Sequence, residues 1–81
     1  MDNSDVEKRD AIKILKSCMK NAKELREGAN KYCEQMASIM DDLESESGRK
    51  MLSEIMQQSY KQMIEIDIRI SLLEKELKIY Q

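Results

Sequence analysis

The chain has no proline, tryptophan, phenylalanine or histidine, and its only glycines are Gly28 and Gly48. Proline and glycine interrupt helices more than any other residues, so their near absence favours long helices. β-Branched residues do not alternate with polar residues over any useful run, and the usual signal for strands is therefore missing. The sequence predicts an all-α protein.

The same absences exclude most kinds of chemistry. Without histidine, the chain lacks the commonest general base and metal ligand. Its two cysteines, Cys18 and Cys33, cannot form a structural zinc site without outside ligands. On one helix they would lie ~22 Å apart at ~1.5 Å per residue, too far for a disulfide. No phosphate-binding loop, nucleophile elbow or calcium loop is present. We predict no enzymatic activity, no metal and no cofactor.

Neither sign of charge predominates, because 14 basic and 16 acidic residues are interspersed and the net charge is −2. This balance gives no strong attraction to nucleic acid or anionic membranes. No run of ~18 apolar residues exists, so we expect no transmembrane helix. The charged first ten residues do not resemble a Sec signal peptide. The expected location is the cytoplasm, or outside the cell by a route that needs no Sec signal.

Two charged clusters can each be interpreted either as solvated surface or as a functional site. One helix face carries four lysines, Lys13, Lys16, Lys20 and Lys23. A solvated face is the favoured interpretation, and binding of nucleic acid or anionic lipid is the alternative. No aromatic residue interleaves with them, as a single-strand binder requires. The acidic cluster consists of Asp41, Asp42, Glu44 and Glu46. A solvated helix end is favoured there, and a cation site is the alternative.

Apolar residues recur at alternating spacings of three and four from Ala11 to Leu43, and again from Leu52 to Tyr80. The phase of this repeat breaks between the two runs, where Ser45-Glu46-Ser47-Gly48 is the one plausible turn. We predict a single domain over residues 1–81. Helix 1 spans about 4–44, a turn with Ser45, Ser47 and Gly48 spans about 45–48, and helix 2 spans about 48–81. A single uninterrupted helix is the alternative, since neither serine nor glycine forbids it.

Folding the chain back at this turn gives an antiparallel two-helix hairpin with one apolar seam. Large residues then face small ones, as packing requires, with Tyr32 opposite Ser59. Met19, Cys33 and Met40 widen the apolar stripe on helix 1. The predicted seam residues are Leu15, Cys18, Leu25, Tyr32, Met36, Ile39, Leu52, Met56, Met63, Ile66, Ile70, Leu73 and Leu77.

Helix 2 carries a further apolar row, made of Ile64, Ile68, Leu72 and Ile79, roughly opposite the seam. A helix that is apolar on two sides must be covered on two sides. We therefore predict that this row is a partner interface and that dimerisation or hetero-oligomerisation completes a four-helix bundle. The alternative is that the chain termini curl back over the row.

With this outline the chain resembles the WXG-type small secreted proteins of type VII secretion and the small helical partners of LXG toxins. Where that family carries Trp-x-Gly at the turn, this chain has Glu46-Ser47-Gly48, which keeps the glycine without the tryptophan. Met63, Leu73 and Tyr80 fall where the family's second helix carries apolar residues. The family's tail signal, Tyr-x-x-x-Asp/Glu, is missing, because only Gln81 follows Tyr80.

The resemblance implies a homo- or heterodimeric four-helix bundle. Because the tail signal is missing, it also implies that this chain is the partner that lacks the export signal. It implies a protein–protein interaction module that targets a larger secreted effector. One alternative is a cytosolic chaperone or adaptor of another secretion assembly, such as a type III or flagellar helper. The other is the lysine-based nucleic-acid or membrane-surface binder. We expect a protein partner and no integral membrane association.

Overall fold

The computed structural model describes residues 3–81, which form two α-helices, α1 (Asn3–Met40) and α2 (Glu46–Tyr80). The helices lie side by side in a molecule that measures 67 × 14 × 13 Å. One straight helix of the same residues would be about 120 Å long at ~1.5 Å per residue. The predicted all-α two-helix hairpin is confirmed, and the single rod is excluded.

Helix α1 ends at Met40, so the predicted end near residue 44 is wrong. The next two residues are Asp41 and Asp42, and the last turn of α1 contains no basic residue. Carboxylates are unfavourable near the negative end of a helix dipole, and aspartate competes for backbone hydrogen bonds in turns. The acidic pair therefore favours the end of the helix, although the apolar periodicity continues to Leu43.

The connection between the helices spans residues 41–45 and is held by hydrogen bonds to both helices. The Asp42 and Leu43 amides donate to the carbonyls of Ile39 and Met40, at 2.9 and 3.2 Å. Arg49, in the first turns of α2, donates from Nε to the Leu43 carbonyl at 2.9 Å. These bonds hold the start of α2 against the end of the loop.

Ser45 caps the N-terminus of α2 from an extended backbone conformation. Its Oγ accepts a hydrogen bond from the Gly48 amide at 3.1 Å. A Cβ on residue 48 would lie 2.8 Å from this Oγ, so glycine leaves room for the capping hydroxyl. The predicted turn is corrected accordingly: Ser47 and Gly48 belong to the first turn of α2, and only Ser45 lies in the connection.

On α2, the side chains that pack in the seam are the predicted ones. Leu52, Ser59 and Met63 are buried, and the remaining positions of the same two columns are half-buried. These half-buried residues are Met56, Ile66, Ile70, Leu73, Leu77 and Tyr80.

On α1, only one of the two predicted columns faces α2. That column is buried or half-buried and contains Leu15, Ala22, Ala29 and Met36. The second column is the neighbouring one, made of Met19, Arg26, Cys33 and Met40. The predicted seam residues Cys18, Leu25, Tyr32 and Ile39 are exposed. Their assignment is corrected: the apolar stripe on α1 is three columns wide, and a single neighbouring helix covers about two.

Two contacts between the helices accompany this arrangement of α1, in which the Cys33 column faces α2 and the Leu25 column does not. The thiol of Cys33 lies 3.4 Å from the sulfur of Met63 in the buried seam. At the rim, Arg26 donates from Nε to the Asp67 carboxylate at 2.8 Å. The buried Ser59 hydroxyl needs no partner on α1, because it donates to the Ile55 carbonyl at 3.2 Å. Tyr32 is 43% exposed, so it is not buried in the seam opposite Ser59 as predicted.

Replacing the capping serine should lower the stability of the hairpin. In Ser45→Ala the Gly48 amide loses its acceptor, and we expect the free energy of unfolding to fall by about 1 kcal/mol. Urea denaturation followed by circular dichroism measures this change. Ser47→Ala is the matched control, because Ser47 is exposed within the helix and should change stability by less than ~0.5 kcal/mol. Equal losses in the two variants would contradict the assignment of Ser45 as the cap.

Candidate interaction surfaces

The outer row of α2 consists of Ile64, Ile68, Leu72 and Ile79, and their exposed fractions range from 55 to 73%. Ile68 lies two residues from each of the half-buried seam residues Ile66 and Ile70, so at ~100° per residue it points away from α1. Neither helix of the hairpin covers this row. A contiguous exposed aliphatic row of this kind is typical of an association surface.

Two lysines lie on the same face of α2 as the outer row. Lys61 and Lys75 lie seven residues before and after Ile68, in the most outward column of α2, and both are exposed. Lys61 therefore precedes the row, and Lys75 lies between Leu72 and Ile79.

A second exposed apolar surface lies on α1, and most of its residues are ones that the sequence pattern had predicted for the seam. We name it the α1 flank, and it contains Ile14, Cys18, Leu25, Tyr32 and Ile39. The sequence feature that could have indicated this surface is a third apolar column on α1, which contains Met19, Cys33 and Met40. Since α2 covers only two columns, one of the three had to lie outside the seam.

The α1 flank borders a shallow groove between the helices. Cys18 and Leu25 line this groove from α1, while Arg69 and Leu73 line it from α2. One turn further along α1, a depression beside Leu25 is lined by Asn21, Glu24, Leu25, Gly28 and Ala29. A Cβ placed on Gly28 would meet no atom within 4 Å, so this depression is open.

The charged clusters give less defined surfaces. Lys16, Lys20 and Lys23 line one depression together with Glu24 and Glu27, whose carboxylates oppose a purely basic field. The four acidic residues near the turn are all exposed. Within residues 3–81, no three histidine, cysteine or acidic side chains are grouped so that they could hold a metal ion.

Neither helix, over its described length, is both long and apolar enough to cross a membrane. Comparison of the chain with protein-family models, curated proteins and solved structures finds no significant match.

The two cysteines should differ strongly in reactivity. Cys33 is 5% exposed and contacts Met63, whereas Cys18 is exposed. We expect iodoacetamide to alkylate Cys33 at least roughly a hundredfold more slowly than Cys18, since Cys33 must wait for the seam to open. Mass spectrometry over time, on Cys18→Ser and Cys33→Ser variants, measures each thiol alone. In denaturant the two rates should converge. Equal rates in the native protein would contradict the burial of Cys33 in the seam and the exposure of Cys18.

Proposed function

We propose that this chain is a non-enzymatic interaction module that packs the outer row of α2 against a partner protein. The partner is a larger effector, and the hairpin serves as its small targeting partner in type VII secretion. The observation that carries the proposal is the outer row itself: Ile64, Ile68, Leu72 and Ile79 are aliphatic, lie on one side of α2 and are more than half exposed.

The size and shape of the row favour a helical partner. From Ile64 to Ile79 it extends for about 22 Å at ~1.5 Å per residue, or roughly four helical turns. Aliphatic anchors at spacings of four residues are read by another helix that lies along the row. Burying an exposed isoleucine or leucine contributes roughly 1.5–3 kcal/mol. Burial of all four aliphatic side chains would contribute roughly 6–12 kcal/mol, which is comparable with the cost of association.

The link to type VII secretion rests on the resemblance given by the chain's outline. Two long helices joined by a short connection, with Glu46-Ser47-Gly48 at the start of α2, correspond to the family's hairpin and its Trp-x-Gly position. The small core of this hairpin also suits a protein that works in a complex, because association supplies the burial that a single seam does not.

Removing the aliphatic anchors should abolish partner binding and leave the hairpin folded. We expect the double variant Ile64→Gln/Ile68→Gln to bind the effector at least tenfold more weakly, since two buried aliphatic contacts are lost. The measurement is co-expression with the proteins encoded by neighbouring genes, followed by affinity purification and titration of the recovered pair. Both residues are exposed, and glutamine is a good helix former, so helicity should not fall.

The matched control is Lys50→Gln/Glu54→Gln, which places the same side chain at two exposed polar positions of α2 at least ten residues before Ile64 and leaves the net charge unchanged. It should bind like the unmodified chain. Equal weakening in both variants, or no binding to any neighbouring product, would reject the outer row as the partner interface. Following the effector in culture supernatant tests the secretion role: without the hairpin the effector should stay inside the cell. Export that is independent of the hairpin would instead support a cytosolic chaperone or adaptor.

A further inference from the structure

Thioether side chains fill much of the seam near the turn. The two helices contribute eight seam positions there, and half of these positions are methionine. Leu52 is the one other large aliphatic side chain among them. The eight positions are Ala29, Cys33, Met36 and Met40 on α1 and Leu52, Met56, Ser59 and Met63 on α2. We name Met36, Met40, Met56 and Met63 the turn-side methionines.

The turn-side methionines lie at neighbouring levels of the seam. The Cys33 thiol lies 3.4 Å from the Met63 sulfur, and this contact fixes one level. Because the helices run antiparallel, Met40 and Met56 lie at a second level, about 10 Å nearer the turn at ~1.5 Å per residue. Met36 lies one helical turn before Met40. The end of the seam that joins the two helices therefore depends on packing by sulfur side chains.

The turn-side methionines differ in their access to solvent. Met63 is 8% exposed, whereas Met36, Met40 and Met56 are half-buried. Among residues 3–81 no third layer of structure covers the edges of the two-helix seam, so a small oxidant reaches the half-buried sulfurs in the folded hairpin. Met51 differs from all four, because it lies outside the seam and is 64% exposed.

Oxidation of these thioethers places a polar group where the seam offers no good hydrogen-bond donor. A methionine sulfoxide is polar, and its oxygen accepts hydrogen bonds. Ser59 is the one buried polar side chain among residues 3–81, and its hydroxyl already donates to the Ile55 carbonyl at 3.2 Å. The Cys33 thiol is only a weak donor. A buried polar group without a partner disfavours the folded state, and this hairpin buries little else that could compensate.

We propose that the turn-side methionines are modification sites through which hydrogen peroxide reversibly unfolds the hairpin. The reaction transfers one oxygen atom. The thioether sulfur attacks a peroxide oxygen, the O–O bond breaks as the S–O bond forms, and the released hydroxide takes the proton of the transferred OH and leaves as water. Sulfur loses two electrons and peroxide gains them, so no further reactant is required. Methionine sulfoxide reductases reverse the change with electrons from a dithiol and release the oxygen as water.

Unfolding of the hairpin also disperses the outer row of α2. Ile64 and Ile68 share one face only while α2 is helical, so a partner held by them is released under oxidising conditions. This consequence rests on the proposed function. The unfolding itself does not, because it depends only on the side chains within the seam.

Circular dichroism of the full chain follows the modification. We expect peroxide to lower the helical signal by roughly half or more, because a marginally stable domain has little stability to lose. Dithiothreitol reduces cysteine disulfides and sulfenic acids but not methionine sulfoxide, so it should leave the signal low. Adding the two methionine sulfoxide reductases, one for each epimer of the sulfoxide, should then restore the signal. Peptide mass spectrometry locates the added oxygen atoms.

Leucine variants test which sulfurs are responsible. The fourfold variant Met36→Leu/Met40→Leu/Met56→Leu/Met63→Leu keeps similar volumes in the seam and takes up no oxygen there, so its helical signal should survive the same peroxide treatment. Met51→Leu is the matched control, because it removes an exposed thioether from α2 and leaves the seam unchanged. It should lose its helices like the unmodified chain. If the fourfold variant does not fold, Met36→Leu/Met40→Leu and Met56→Leu/Met63→Leu should each retain more helix in peroxide than the unmodified chain.

Four results overturn the proposal. Recovery with dithiothreitol alone assigns the effect to Cys18 or Cys33. Failure of the reductases to restore the helices shows that the change is not reversible methionine oxidation. A full helical signal in a chain whose turn-side methionines carry oxygen shows that the seam tolerates the sulfoxide. Protection by Met51→Leu and not by the seam variants places the sensitive sulfur outside the seam. None of these measurements includes a partner, so binding by the outer row, which Ile64→Gln/Ile68→Gln tests, can fail or hold separately.

Discussion

The structure depends on a single seam between two helices. The buried side chains along it are Ala22, Cys33, Leu52, Met63 and Ser59, and none of the large side chains among residues 3–81 is fully buried. A helix pair offers each helix one neighbour, so roughly two columns of side chains per helix can leave water. For a chain of 81 residues this is little burial against the entropy of ordering the backbone. Association is then a natural source of additional stability.

The seam also decides which surfaces the molecule presents. Three adjacent columns of α1 are largely apolar, and only two can face α2. The Cys33–Met63 contact and the Arg26–Asp67 ion pair both belong to the arrangement in which Leu25 and Tyr32 lie outside. Arg26 can occupy a seam position because its long stem covers apolar surface while its guanidinium reaches the rim. The α1 flank is therefore exposed because the other two columns of α1 fill the seam.

Much of the fold was predictable from sequence, and the failures have local causes. The α2 seam was predictable because its heptad pattern is two columns wide and has one solution. On α1, periodicity alone cannot choose between the Leu25 column and the Cys33 column, since both are adjacent to Ala22 and Ala29. The end of α1 depends on two consecutive aspartates at the negative end of a dipole, which a hydrophobic repeat does not register. The exposure of Ile64 and Ile68 was predictable because it follows from the α2 register alone.

The small seam also ties a contact at an exposed apolar surface to folding. A partner that binds the outer row selects the folded hairpin over the unfolded chain, so binding raises the free energy of unfolding by mass action. Because the folded hairpin buries so little in its own seam, such a contact contributes a large share of the stability of the complex. A variant that weakens the seam should therefore also weaken partner binding, since fewer molecules are folded and competent to bind.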